Sequence, residues 1–243
     1  MINCAVIIPA LNPTSFLNHY VKQLTQNGIA EIIVINDGSS KTYHSVFTEL
    51  NKLESCTVLS HTANLGKGIA LKTAFSYYLK HFPYLCGVVT ADADGQHTVE
   101  DVCKVAEMIS NQPEIIMGVR DFTEEDVPLR SYTGNKITGK AFERLFHVQL
   151  SDTQTGLRGI PAKELNWMQY LKGERYEYEI NMLINAVRRD IKLTEVSIQT
   201  IYADNNSGSY YSTFRDSMRI ITKLISGFFR KKKLMHMEQM ENR

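Results

Sequence analysis

No stretch of the 243-residue chain reaches the ~18 uninterrupted apolar residues needed to span a bilayer. The nearest, Ile220 to Phe229, is broken by Thr222, Lys223 and Ser226, so the chain is not expected to cross a membrane unaided. Cysteine is sparse: Cys4, Cys56, Cys86 and Cys103 form no CxxC pair and have no zinc-type histidine spacing, which points to free thiols in a reducing cytosol. A secretory h-region is missing too, because Cys4-Ala5-Val6-Ile7-Ile8 runs straight into Pro9, and export is not expected. Net charge is almost nil, with 27 Lys+Arg against 26 Asp+Glu, so nothing global favours nucleic acid. There is no internal repeat, no linker and no low-complexity tract apart from a basic run near the end.

What is present suffices for a core, since 43% of the residues are hydrophobic. Short apolar runs at Cys4–Ile8, Glu31–Ile35, Thr57–Leu59, Gly87–Ala91 and Glu114–Met117 read as buried strands. Leu17, Val21 and Leu24 mark one helix face between them, and Ile69, Thr73 and Tyr77 another. Repeated βα units predict an α/β fold, a mostly parallel sheet with helices on both faces. Beyond Arg120 the pattern loosens. It reads as a helix at Asn135–Phe146, a turn at Ser151–Gly159, helices near Ala162–Leu171 and Glu179–Arg188, and a strand near Leu193–Ile198. The expected organisation is one domain over 1–229, with a nucleotide-binding half at 1–118, an acceptor half at 119–229, and a basic tail at 230–243.

Ligands of such sheets bind beyond the carboxyl ends of the strands. The fourth run ends in Thr90-Ala91-Asp92-Ala93-Asp94-Gly95-Gln96-His97. Carboxylates at i and i+2 of an extended backbone share one side, where like charges are unfavourable unless a cation lies between them. Oxygen ligands suit Mg²⁺ or Mn²⁺, and Gln96 offers a third oxygen. A plain turn with Asp94-Gly95 at its corner explains the same residues. So does a phosphatase of the haloacid dehalogenase type with an aspartyl nucleophile, although that motif usually sits on a first strand and is followed by Gly-Thr.

Asp37, in Asn36-Asp37-Gly38-Ser39-Ser40, could accept the imide N–H of a uracil-type base or simply make an Asx turn. Asn64-Leu65-Gly66-Lys67-Gly68 could bring backbone N–H groups and Lys67 toward phosphate, or merely start a helix; it is neither a P-loop nor a dinucleotide fingerprint. Arg120, Arg130 and Arg158 stand in predicted loops and suit phosphate because the guanidinium donates two parallel hydrogen bonds, though surface salt bridges account for them equally. From Phe214 to Arg243 there are eight basic and three acidic residues. Phe214, Met218, Ile221, Ile225 and Phe228 recur at 4-3-4-3 spacing ahead of Arg230-Lys231-Lys232-Lys233. Such a helix and tail could adsorb to an anionic membrane at about 1 kcal/mol per basic residue near the lipid, or pack on the domain with a solvated tail.

Read in order, Ile7-Ile8-Pro9-Ala10-Leu11-Asn12, Val34-Ile35-Asn36-Asp37-Gly38-Ser39-Ser40, Asn64-Leu65-Gly66-Lys67-Gly68 and Ala91-Asp92-Ala93-Asp94-Gly95-Gln96-His97 resemble glycosyltransferase family 2. Gly118-Val119-Arg120, the run Asp152 to Gly159, Arg175-Tyr176-Glu177-Tyr178-Glu179 and Phe214-Arg215-Asp216-Ser217 are similar to its polyprenyl-phosphate, dolichol-phosphate mannosyltransferase-like branch. The resemblance implies the GT-A fold, a nucleotide diphosphate-sugar donor, a divalent metal and inversion at the anomeric carbon. It places Pro9, Leu11 and Asp37 at base and ribose, Asp92 and Ala93 at the nucleotide, and Asp92, Asp94 and Gln96 at the metal and diphosphate. Lys67 and Arg158 are expected on the donor side, and Arg120 and Arg130 at the acceptor phosphate. Pro13 stands where the family usually has Glu, which removes or replaces a donor contact. The expected enzyme is cytoplasmic, peripheral to the inner face of the plasma membrane, and moves a hexose from a nucleotide diphosphate-sugar, most simply a UDP-sugar, to a polyprenyl phosphate such as undecaprenyl phosphate. Transfer to a saccharide hydroxyl, with His97 or Asp121 as base, and a non-catalytic nucleotide-sugar or membrane binder are the competing expectations.

Overall fold

The computed structural model describes residues 2–121 and 129–199, with 129–132 as backbone only; the basic helix and tail read from the sequence lie outside the described residues. Seven strands among these form one sheet: β1 (Ile2–Ala10), β2 (Ile29–Asn36), β3 (Cys56–Ser60), β4 (Gly87–Thr90), β5 (Ile115–Arg120), β6 (Arg158–Pro161) and β7 (Leu193–Ile198). Their order is β3-β2-β1-β4-β6-β5-β7, and every pairing is parallel except the two made by β6. The helices are α1 (Phe16–Gln26), α2 (His44–Leu50), α3 (Lys67–His81), α4 (Val99–Asn111), α5 (Leu129–Phe146), α6 (Ala162–Met168) and α7 (Glu177–Arg188).

The period-2 alternation of β1 builds two apolar layers. Cys4, Val6 and Ile8 pack with Leu17, Val21 and Leu24 of α1 and with Val102, Val105 and Ala106 of α4. Ala5 and Ile7 face the other way, onto Ala70, Leu71, Ala74 and Phe75 of α3 and Leu183 and Ile184 of α7. Burial of each large aliphatic side chain contributes about 1.5–3 kcal/mol, and both sheet faces are covered.

Three details depart from the sequence reading, the first being that α5 begins at Leu129, six residues before the helix expected at Asn135. The buried face of α3 is Ala70, Leu71, Ala74, Phe75 and Tyr78. Ile69, Thr73 and Tyr77 instead line a surface groove beside Leu59. Residues 158–161, the first two read as the end of a turn, form the antiparallel strand β6. Because β6 runs opposite to its neighbours, the segment that enters it, residues 151–157, arrives at the same sheet edge as the exits of β1, β2, β4 and β5. The chain leaves β1 toward β2 on one side, while β4 docks on the other, so the crevice between β1 and β4 is the topological switch point where α/β sheets bind ligands.

One cap orients the loop below that crevice. Thr98 Oγ1 accepts from the Asp101 N–H at 3.0 Å and donates to Asp101 Oδ2 at 2.8 Å, and the same Oδ2 accepts from the Gln199 N–H at 3.0 Å. Thr98→Ala is expected to lower the free energy of unfolding by about 1 kcal/mol, measured by urea denaturation.

Candidate active site

Strand β4 delivers Asp92 to the crevice, half-buried between three groups. Lys67 Nζ lies 2.6 Å from Asp92 Oδ1, and His97 Nε2 lies 3.2 Å from Oδ2. Gly156 is the third: a Cβ there would overlap Asp92 Oδ2, so any larger residue would displace the carboxylate. Burial works to raise the Asp92 pKa, but the Lys67 ammonium and the His97 N–H more than offset it and hold the carboxyl well below the usual range. Asp94 behaves oppositely. It is exposed at the rim, and desolvation together with the Asp92 charge raises its pKa. The pair thus carries an electrostatic strain that a shared cation would relieve.

Lys67 begins α3 and reaches a second carboxylate, Glu179 Oε1 on α7, at 3.1 Å. Burial alone would lower its pKa, yet Asp92 and Glu179 raise it well above the ordinary lysine value. The loop before it is held from beneath by Asp37, whose Oδ1 accepts from the Leu65 N–H at 3.0 Å and whose Oδ2 accepts from the Gly66 N–H at 2.8 Å. His61 completes the clamp, donating from Nδ1 to Asp37 Oδ1 at 2.7 Å and meeting Thr73 Oγ1 through Nε2 at 3.0 Å. Gly66 takes φ +100° here, and a Cβ would overlap the Glu174 carbonyl.

This geometry revises two expectations. Of the Asn64–Gly68 run, read as a source of backbone N–H groups for phosphate, the Leu65 and Gly66 amides are engaged by Asp37 instead. The Asp37 carboxylate, read as a base contact, first serves the loop; Oδ2, with one such partner, keeps acceptor capacity. Pro9, next to last in β1, is in register with Ile35, and Leu11 follows just beyond the strand, half-buried. Asn12, at φ +50°, locks the exits of β1 and β2 together: its N–H donates to Ser39 Oγ at 2.8 Å and its Oδ1 accepts from the Ser40 N–H at 2.9 Å. Ala93 is half-buried between the two aspartates, and the Gln96 backbone N–H donates to Asp94 Oδ1 at 3.2 Å.

Arg158 needs outright correction. It is 1% exposed, and its guanidinium donates to the carbonyls of Thr155 at 3.1 Å, Glu179 at 2.7 Å and Thr153 at 3.5 Å. A side chain enclosed this way braces the 153–156 segment and cannot reach a donor in the crevice. Arg158→Met is expected to cost about 2–3 kcal/mol by stranding buried carbonyls, read by thermal or urea unfolding.

Arg120, at the end of β5, makes a two-pronged pair with Asp152: Nε to Oδ2 at 2.7 Å and Nη2 to Oδ1 at 3.2 Å. Asp152 is fully buried, so it fixes the guanidinium plane. Arg130 falls in the first turn of α5, and its side chain lies outside the described residues. The 151–155 loop is further tied by Asn135, which donates from Nδ2 to the Ser151 carbonyl at 2.7 Å and accepts at Oδ1 from the Thr153 N–H at 3.0 Å. Sequence reading did not assign Gly156, Asp152, Asn135 or Glu179 a role; Gly156, Asp152 and Glu179 lie inside the runs that carry the resemblance, and Asn135 has no such signal.

Among the described residues no three His, Cys, Asp or Glu side chains are grouped to hold a metal ion. A cation at Asp92 and Asp94 would therefore need its other ligands from elsewhere, such as a bound diphosphate.

A family model described as glycosyl transferase family 2 matches residues 5–163, the span from β1 to the start of α6. The chain belongs to glycosyltransferase family 2. This family 2 chain is 32% identical to an uncharacterized protein of Methanocaldococcus jannaschii, covering 92% of this chain and 87% of that protein. It is 28% identical to the UDP-N-acetylglucosamine--dolichyl-phosphate N-acetylglucosaminyltransferase of Methanococcus voltae, over 82% of this chain and 86% of that one. Glucosyl-3-phosphoglycerate synthase from Mycobacterium tuberculosis, solved with Mn²⁺, UDP and phosphoglyceric acid, shares the fold at a TM-score of 0.67 and 15% identity, covering 93% of this chain and 78% of that chain. The fold of this family 2 glycosyltransferase is GT-A, and its relatives place it with the polyprenyl-phosphate branch.

Proposed function

We propose that the protein transfers a hexose, with inversion, from a UDP-sugar to a polyprenyl phosphate such as undecaprenyl phosphate, working at the inner face of the plasma membrane. The observation that carries this reading is the shared sheet edge, where the Asp92–Asp94 pair follows β4 and Arg120, braced by Asp152, closes β5. The Methanococcus voltae relative, by its name, uses a UDP-sugar and dolichyl phosphate, and the mycobacterial neighbour was solved with Mn²⁺ and UDP.

Asp92 and Asp94 would hold Mg²⁺ or Mn²⁺, with Gln96 as a further oxygen donor. The metal would supply neutralisation of the charge that grows on the departing nucleoside diphosphate. Pro9, Leu11 and Asp37 line the end that takes the base, Ala93 the nucleotide, and Lys67 the diphosphate. On the acceptor side a phosphate monoester is already ionised at neutral pH, so the protein needs to neutralise and align it rather than deprotonate it. Arg120 and Arg130 do this. No helix among the described residues is long and apolar enough to cross a membrane, and contact with the lipid surface is assigned to the basic segment over 214–237.

The direct test is a panel of UDP- and GDP-sugars labelled in the hexose, incubated with Mn²⁺ and undecaprenyl phosphate. Label entering an organic-solvent-extractable product supports the proposal; label moving only to a water-soluble saccharide replaces it with transfer to a hydroxyl. Arg120→Ala would strand the buried Asp152 carboxylate, so Arg120→Lys is the informative variant. It keeps the charge, loses the planar fork, and is expected to raise KM for the lipid acceptor about tenfold with donor KM nearly unchanged.

A further inference from the structure

Lys67 occupies one carboxylate oxygen of Asp92, the cation ligand proposed above. Its ammonium is 2.6 Å from Asp92 Oδ1, while His97 takes Oδ2 at 3.2 Å and Gly156 packs against that same oxygen. A cation binding at Asp92 meets a like charge already 2.6 Å from Oδ1, so one of the two must move. Lys67 has somewhere to go. Glu179 Oε1 lies 3.1 Å from the ammonium, belongs to a carboxylate that is itself buried, and the lysine stem is flexible enough to lean on it alone. An arriving diphosphate offers the ammonium further negative charge on the same side.

We infer that Lys67 is a resident counter-ion that Asp92 exchanges for the divalent cation when the donor diphosphate arrives, with Glu179 retaining the displaced ammonium at the edge of the site. The inference rests on Asp92 being a cation ligand, as proposed above. Its consequence is coupled binding: the protein alone takes the cation weakly, the nucleotide strengthens it, and by reciprocity the cation strengthens the nucleotide.

The test is Mn²⁺ titration of the full chain, read as free Mn²⁺ by electron paramagnetic resonance, with and without UDP. In the unsubstituted protein UDP is expected to tighten Mn²⁺ binding by at least about tenfold. Lys67→Met keeps the apolar stem and is expected to bind Mn²⁺ about tenfold more tightly without UDP, with little change when UDP is present. Mere loss of a positive charge would raise affinity alike in both conditions. Equal increases, or no increase, therefore overturn the exchange. Glu179→Gln retains the Lys67–Asp92 pair and reads the opposite direction, with Mn²⁺ binding weakened mainly in the presence of UDP; an unchanged affinity there also overturns it. If no protein binds Mn²⁺ even with UDP, the metal reading itself fails along with the exchange.

Discussion

Asp94→Asn is expected to reduce hexose transfer by roughly 10²- to 10³-fold, the usual cost of removing one preorganised electrostatic stabiliser of the transition state. Stability should change by no more than about 0.5 kcal/mol, because Asp94 is exposed and the amide oxygen of asparagine can still accept the Gln96 N–H. This separation makes Asp94 the better probe of the pair. Asp92→Asn removes the principal partner of the buried Lys67 ammonium and unpairs His97 in the same stroke, so its loss of activity would mix chemistry with misfolding. Steady-state kcat with saturating donor, set beside a urea unfolding curve, distinguishes the two effects.

Gly156→Ala is the second large effect expected, on activity by about a hundredfold. The added methyl has no space: its nearest neighbours are the carboxylate atoms of Asp92, and the backbone carrying it cannot retreat. Thr90 Oγ1 donates to the Gly156 carbonyl at 2.7 Å on one side, and Arg158 grips the Thr155 carbonyl at 3.1 Å on the other. Asp92 is what must yield, and a displacement of about 1 Å in a reacting constellation costs on the order of 10² in rate. The donor dissociation constant, followed by UDP quenching of protein fluorescence, should weaken alongside kcat. A Gly156→Ala enzyme with unaltered kcat would show that Asp92 does not need the position it holds.

The central strands were legible because a sheet covered on both faces demands continuous apolar runs, and Cys4–Ile8 and Glu31–Ile35 supply them. β6 was not. Arg158-Gly159-Ile160-Pro161 has one large apolar side chain, and its strand exists because β4 and β5 pair with it and the carbonyls of Thr153, Thr155 and the more distant Glu179 satisfy its arginine. Helix α3 was placed but turned the wrong way: it is apolar on more than one side, and the core took the stripe containing two alanines, which allow close approach to the sheet. At the site, Asp92 and Asp94 could be singled out locally because two carboxylates two residues apart follow a buried strand. Arg158 had the right chemistry in the wrong place, since nothing local distinguishes a buried arginine from one in a crevice. Gly156 and Glu179 act only through partners 64 and 112 residues away, Asp92 and Lys67, which no local pattern reveals.

Crystals of the full chain grown with UDP and Mn²⁺ put the central claim to its most direct test, through the manganese anomalous signal. The expected result is a peak between the UDP diphosphate and the carboxylates of Asp92 and Asp94, with Lys67 withdrawn toward Glu179. UDP bound in the crevice with no manganese at those carboxylates, and Lys67 still on Asp92, would contradict it.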